Sequence, residues 1–235
     1  MKRLIPCIVA AGAALTLAAP ASAAPDCDAM ARLALKDTTI SQVKVNATGS
    51  FMPPGERARA LDKLPAFCGV KGVIKPTPTS SIQFELWLPE QNWNGKLQVV
   101  GNGGLAGTIS YPAMATALRD GFATASTDTG HTSDEAPTWL QDRERLIDYS
   151  DRGLHLTTVD SKAILQAYYS QPAKYSYYSG CSTGGKQGLM EAQRYPADFN
   201  GILAGDAANY WTHQMASEVW NGVVTSSPET NLPKE

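Results

Sequence analysis

Two periodicities divide this chain. From residue 38 onwards "TTISQVKVNATGSFMPPG" alternates polar and apolar positions, as a half-buried strand does, and stops at a Pro-Pro-Gly turn. "LPAFCGVKGVIKPTPTSSIQFELWLP" predicts two further strands across a Pro/Thr/Ser turn. The second, "SIQFELWLP", has clean period-two alternation and ends at Pro89. "NWNGKLQVVGNGG" carries an Asn-Gly turn, a buried strand and a glycine-rich loop. Beyond it the pattern becomes strands alternating with helices. "YPAMATALRDG" predicts a helix ended by Gly121, "FATASTDTG" a strand and loop, and "HLTTVDSKAILQAYYS" a long amphipathic helix. "KYSYYSG" is the next strand, "GKQGLMEAQRYP" the next helix and "FNGILAGDA" a further buried strand. Upstream, "CDAMARLAL" reads as a short helix. An antiparallel opening followed by βαβ units implies an α/β fold with a mostly parallel sheet and helices on both faces. No internal repeat or low-complexity tract interrupts it.

The first residues follow a different logic. Lys2 and Arg3 precede the apolar run "LIPCIVAAGAALTLAA", and Ala21-Ser22-Ala23 is a small-residue cleavage site. Residues 1–23 are therefore expected to be a secretory signal peptide cut after Ala23, which sends the chain to the periplasm or outside the cell. Cys7 would leave with the leader, and Cys27, Cys68 and Cys181 would remain in an oxidising compartment. An odd cysteine there implies a missing partner, an intermolecular bridge or a reactive thiol. Hydrophobic residues make up 43% of the 235 and charged ones 18%, an ordinary globular balance. The net charge of −2 offers no electrostatic footprint for nucleic acid. Nothing after the leader resembles a membrane span.

Gly180-Cys181-Ser182-Thr183-Gly184 is a G-x-S-x-G pentapeptide between a predicted strand and a predicted helix. That setting turns the chain sharply enough to hold a serine at the tip, often at positive φ, with flanking glycines where side chains would clash. Ser182 is the candidate nucleophile, and the Thr183 N–H the first candidate oxyanion donor. A second donor is expected from the glycine loop "GNGGLAG", through Gly103 or Gly104. The bland alternatives are a Gly/Ser turn that caps a helix and a tight strand-to-helix connection. A rival from another class also reads this loop. Gly101-x-Gly103-x-x-Ala106 matches a dinucleotide fingerprint, and Asp128 ends the next strand, as in a nicotinamide-dependent oxidoreductase. Against it, the loop does not follow the first strand, "ATASTD" reads as too polar for a buried core strand, and an exported protein meets little nicotinamide cofactor.

A serine nucleophile needs a histidine to take its proton and a carboxylate to orient that histidine. Too little chain follows Ser182 to supply both in the order Ser, acid, His. His213 is the one downstream histidine, predicted near the end of the next strand, and His131 and His155 precede the serine. All three read better as structural. Asp198 lies in a helix-to-strand turn and Asp206 follows the next strand too early, so neither suits the orienting role.

The blocks "NWNGKLQVVGNGGLAG", "FATASTDTGH", "YYSGCSTGGKQGLMEAQRYPADFNGILAGDAANYWTHQ" and "VWNG" together resemble the tannase and feruloyl esterase family of secreted serine esterases, and also the bacterial mono(2-hydroxyethyl) terephthalate hydrolases. The resemblance implies an α/β-hydrolase core with residues 24–209 as its N-terminal part and 210–235 as the start of a lid domain. It implies no cofactor for catalysis and a structural calcium in the remainder of the lid. It implies a disulfide between Cys27 and Cys68, and a second from Cys181 to a cysteine beside the catalytic histidine, outside this sequence. The chain is then expected to be the N-terminal part of a longer enzyme, inactive alone. Its substrates would be small esters of aromatic acids such as gallate, ferulate or terephthalate. Asp206-Ala207 departs from the Ala-Pro that many relatives carry there. A non-catalytic phenolic- or carbohydrate-binding module on the same scaffold is the third reading, and the intact serine weighs against it.

Overall fold

The computed structural model describes residues 26–55 and 58–226; residues 1–23, expected to be a signal peptide and including Cys7, lie outside the described residues. A 3-10 turn, Asp28–Arg32, stands where a short helix was expected. Strands β1 (Thr38–Asn46), β4 (Phe67–Ile74) and β5 (Ile82–Pro89) form an antiparallel wing, with β2 (Ser50–Phe51) and β3 (Leu61–Asp62) as a small side ribbon. Then come β6 (Lys96–Val100), α1 (Tyr111–Arg119), β7 (Ala123–Thr127), α2 (Arg143–Ile147), a π-helical turn (Asp148–Arg152) and α3 (Gly153–Tyr169). β8 (Tyr175–Cys181), α4 (Thr183–Arg194), β9 (Gly201–Gly205) and α5 (Trp211–Val224) complete the order. The main sheet runs β1-β4-β5-β7-β6-β8-β9, and its last four strands are parallel.

Alternation on β5 sorts the core into two layers. Phe84, Leu86 and Leu88 face Leu154, Ile164 and Leu165 of α3, whereas Trp87 packs with Met114 and Leu118 of α1. Helices therefore cover both faces, as the βαβ pattern required. α4 lies on the α3 side, where Gly188 lets it approach Tyr178 and Ile202 closely.

Two strand expectations are corrected. β7, read as too polar for a core strand, is buried along its whole length. Two of its three hydroxyls find partners inside the fold: Ser126 Oγ accepts from the Ser110 N–H at 3.0 Å, and Thr127 Oγ1 donates to the Gln83 carbonyl at 2.8 Å, whereas Thr124 Oγ1 is buried without a partner among the described residues. A buried polar group costs little once it is bonded. β9, read as a buried strand, is the edge strand of the described sheet. It has no fully buried residue, and Leu203 is 66% exposed.

Cys27 and Cys68 are joined, with Cα atoms 5.6 Å apart, tying the 3-10 turn to β4. At the other end the chain leaves the sheet after Gly205, and α5 buries none of its residues.

Candidate active site

The sheet reverses its winding at β6. The chain crosses from β6 to β7 on one side, then returns past β6 to β8 on the other. Loops leaving the C-terminal ends of β6 and β8 therefore diverge and open a crevice, the usual place for a ligand in an open α/β sheet. Both sequence-predicted elements meet there. Val100 pairs with Ser179 and the Gly101 N–H donates to the Ser179 carbonyl at 2.9 Å, so the glycine loop and the serine turn emerge side by side.

Ser182 sits at φ 60°, ψ −120°, between the end of β8 and the first turn of α4, and it is exposed. A serine at that φ is a strained exception that a surrounding structure must enforce. Its own backbone supplies part of the enforcement: the Ser182 N–H donates to the Gly205 carbonyl, and its carbonyl accepts from the Lys186 and Ala208 N–H groups at 3.0 Å. Close backbone approach supplies the rest. A Cβ at Gly180 would stand 2.6 Å from the Gly184 carbonyl, and one at Gly184 would stand 2.9 Å from the Asn102 carbonyl. The second glycine thus makes room for the neighbouring loop rather than for the strand.

The glycine loop is oriented peptide by peptide. In a trans peptide the carbonyl and the following N–H point in opposite directions. The Asn102 carbonyl accepts from the Gly184 N–H at 2.8 Å, which turns the Gly103 N–H away from α4. The Gly103 carbonyl accepts from Ala106 N–H within the loop's own turn, which leaves the Gly104 N–H facing outward. The Gly104 carbonyl accepts from Thr183 Oγ1. Neither candidate N–H has a partner among the described residues; the loop's own turn leaves the Gly104 N–H facing outward, and that orientation favours Gly104.

Beneath the crevice lies a buried amide network that the reading of the loop for its glycines missed. Asn102 Nδ2 donates to the Thr108 and Thr127 carbonyls at 2.5 and 2.8 Å, and Gln187 Nε2 donates to Asn102 Oδ1 at 2.9 Å. Gln187 Oε1 accepts from the Asn102 N–H and the Tyr178 hydroxyl. Asn102, Tyr178 and Gln187 are all buried. The available signal was an amide side chain inside "GNGG" and another on the apolar side of the following helix.

Among the described residues no histidine is hydrogen-bonded to the serine. His131 is buried with Nε2 held 2.8 Å from the Leu105 carbonyl and its ring stacked on Trp139, and burial lowers its pKa. His155 Nδ1 lies 2.7 Å from Asp198 Oδ2, a real His–Asp pair. It stands beyond the far end of α4, however, and twelve helical residues put about 18 Å between that end and Ser182. His213 lies on α5, not on a strand, and is exposed. Asp206 is exposed after β9. Asp128, the acid of the oxidoreductase reading, is turned inward: Oδ1 accepts from the Gln83 and Gly130 N–H groups, and burial pushes its carboxyl up to about 7. It offers a ribose nothing.

His155, Glu191 and Asp198 also group closely enough to suggest a cation. Calcium does not fit them. It takes an all-oxygen shell, whereas one donor here is imidazole and the Lys162 ammonium already stands 3.9 Å from Asp198 Oδ1. A concavity of about 680 Å³ lined by Leu64, Pro65, Pro89, Asn92 and Arg119 opens at the opposite ends of the parallel strands and is unrelated to this chemistry.

A family model described as tannase and feruloyl esterase matches residues 68–234. The chain belongs to the tannase and feruloyl esterase family. An uncharacterised esterase of Xanthomonas campestris pv. campestris is 37% identical over 223 residues, which is 94% of this chain and 38% of that relative. The crystal structure of an esterase from Aspergillus oryzae superposes with a TM-score of 0.79 at 30% identity, covering 86% of this chain and 41% of that one. Feruloyl esterase B from the same organism gives 0.71 at 33%, covering 77% and 36%. The fold is accordingly α/β-hydrolase-like, and the chain spans about two fifths of the length of these family members. Within this family member the described disulfide is Cys27–Cys68; Cys181, beside the serine, is a free and exposed thiol among the described residues. No helix among the described residues is long and apolar enough to cross a membrane.

Proposed function

We propose that this chain carries the nucleophile and oxyanion hole of a secreted carboxylic ester hydrolase acting on esters of aromatic acids. The observation that carries the reading is Ser182 held at positive φ on the crevice, at the first turn of α4. Ser182 Oγ attacks the ester carbonyl carbon while its proton passes to a base. The negative charge that gathers on the carbonyl oxygen is met by the Thr183 N–H and the Gly104 N–H, reinforced by the positive end of the α4 dipole. Collapse of the tetrahedral species expels the alcohol, which takes up the proton. Water then repeats the attack on the acyl-enzyme and frees the aromatic acid.

None of the three histidines of this chain serves as the base: His131 and His155 are committed elsewhere, and His213 is exposed on α5 with no bond to Ser182. The base and its orienting carboxylate come from polypeptide beyond residue 235, as does the partner of Cys181. A bridge from Cys181 would hold that base beside Ser182. The aromatic acid class rests on the family and on the name of one solved relative, feruloyl esterase B. Treatment of the full-length protein with a fluorophosphonate probe is the test. Labelling at Ser182, abolished in Ser182→Ala together with hydrolysis of methyl ferulate and methyl gallate, supports the proposal. Undiminished turnover by Ser182→Ala would overturn it, and ligand binding without labelling would favour the binding module.

A further inference from the structure

The loop that offers the second donor has little to hold it. A Cβ at Gly103 or at Gly104 would touch nothing within 4 Å, and Gly104 is at φ 56°, so neither packing nor backbone preference fixes the tip. Hydrogen bonds must do so. Asn102 anchors the base of the loop and His131 Nε2 holds the Leu105 carbonyl, but the Gly104 carbonyl itself has one tie, the bond it accepts from Thr183 Oγ1. Thr183 is itself only 1% exposed, and its side chain is β-branched at the start of α4, where few rotamers are open to it.

Taking the hydrolase reading above as its basis, we infer that the Thr183 side chain is a positioning residue that sets the separation of the two oxyanion donors. Its backbone supplies one donor. Its hydroxyl grips the carbonyl next to the other, so rotation of the Gly104 segment is stopped from the helix side. One residue thereby fixes both halves of the hole in a single frame. Preorganised donors act on the transition state more than on the bound ester, so loosening this tie falls on kcat and leaves KM nearly alone.

The test is Thr183→Val in the full-length enzyme, which keeps the shape and removes the donor, beside Thr183→Ser, which keeps the donor. A misplacement of one donor by an ångström is worth about 10- to 100-fold, so Thr183→Val is expected to lose that much kcat at unchanged KM, with Thr183→Ser recovering most of it. A kcat for Thr183→Val within twofold of the parent (about the scatter of such assays), or equal losses in the valine and serine variants, would overturn the inference. If the valine variant does not fold, Thr183→Ala against Thr183→Ser decides in the same way: equal kcat values refute it, and a serine variant well ahead supports it. Ser182→Ala, measured alongside, separates the two ideas. Should it retain turnover, the hydrolase reading fails; should it be dead while Thr183→Val is unimpaired, only the positioning role fails.

Discussion

Replacing Ser182 by glycine and, separately, by alanine isolates the strain at the turn. Both variants lose the hydroxyl, so any difference between them comes from the backbone. At φ 60°, ψ −120° a residue with a Cβ is in a region that glycine reaches freely. Such a conformation costs about 1–3 kcal/mol for a non-glycine residue. Glycine gives back roughly 0.5–1 kcal/mol through the greater freedom of its unfolded chain. Ser182→Gly should therefore be more stable than Ser182→Ala by up to about 2.5 kcal/mol, with a central value of about 1 kcal/mol. Urea denaturation of the two proteins reads this as a shift in midpoint at equal slope. An alanine variant more stable than the glycine variant by about 0.5–1 kcal/mol, the unfolded-chain difference alone, would mean that the serine is not held under strain, and the elbow geometry would lose its physical basis. The same experiment separates stability from function, since the more stable glycine variant can form no acyl-enzyme.

Removing the Cys27–Cys68 bond as a double alanine variant frees a loop with a sequence separation of 41. Loop entropy alone sets the loss at about 4 kcal/mol, or about 10 °C in melting temperature; a change under 2 °C would refute the estimate (below about 1 kcal/mol). Gly184→Ala puts a methyl 2.9 Å from the Asn102 carbonyl and is expected to cost about 1–3 kcal/mol and to suppress labelling of Ser182. Normal labelling at full stability would show that the loop and the elbow are not in close register. Glu191 is buried against Asp198, and that burial pushes its carboxyl up from 4.5 to about 8. The folded state thus holds a proton that the unfolded state releases, and the stability this gives is complete below the ordinary glutamate range and lost as pH rises towards 8. Glu191→Gln should flatten the decline of stability measured between about pH 5 and 8; an unchanged slope would place the titration elsewhere.

Much of the site was legible because its chemistry is local. The strand, the glycines and the serine of "YYSGCSTGG" are contiguous, and a turn that needs both flanking glycines announces itself in one pentapeptide. The division between Gly103 and Gly104 was not legible, since it depends on where the Asn102 and Gly103 carbonyls find donors. Strand burial failed twice for one reason. Burial belongs to a strand's place in the sheet, and neither the polar sequence of β7 nor the apolar sequence of β9 states which neighbours will flank it. Gln83 and Ser110, distant in sequence, are what make the hydroxyls of Thr127 and Ser126 tolerable in the centre. The His155–Asp198 pair likewise joins α3 to the turn between α4 and β9, which only the fold brings together.

The one covalent staple described sits in the antiparallel wing, three strands away from β6 and its loop. Ruggedness and chemistry are thus lodged in different halves of the sheet. A thiol reagent that opens the staple would soften the scaffold's outer margin long before it disturbed the crevice. Loss of activity under mild reduction would then have to be traced to Cys181, the exposed sulfur next door to the serine.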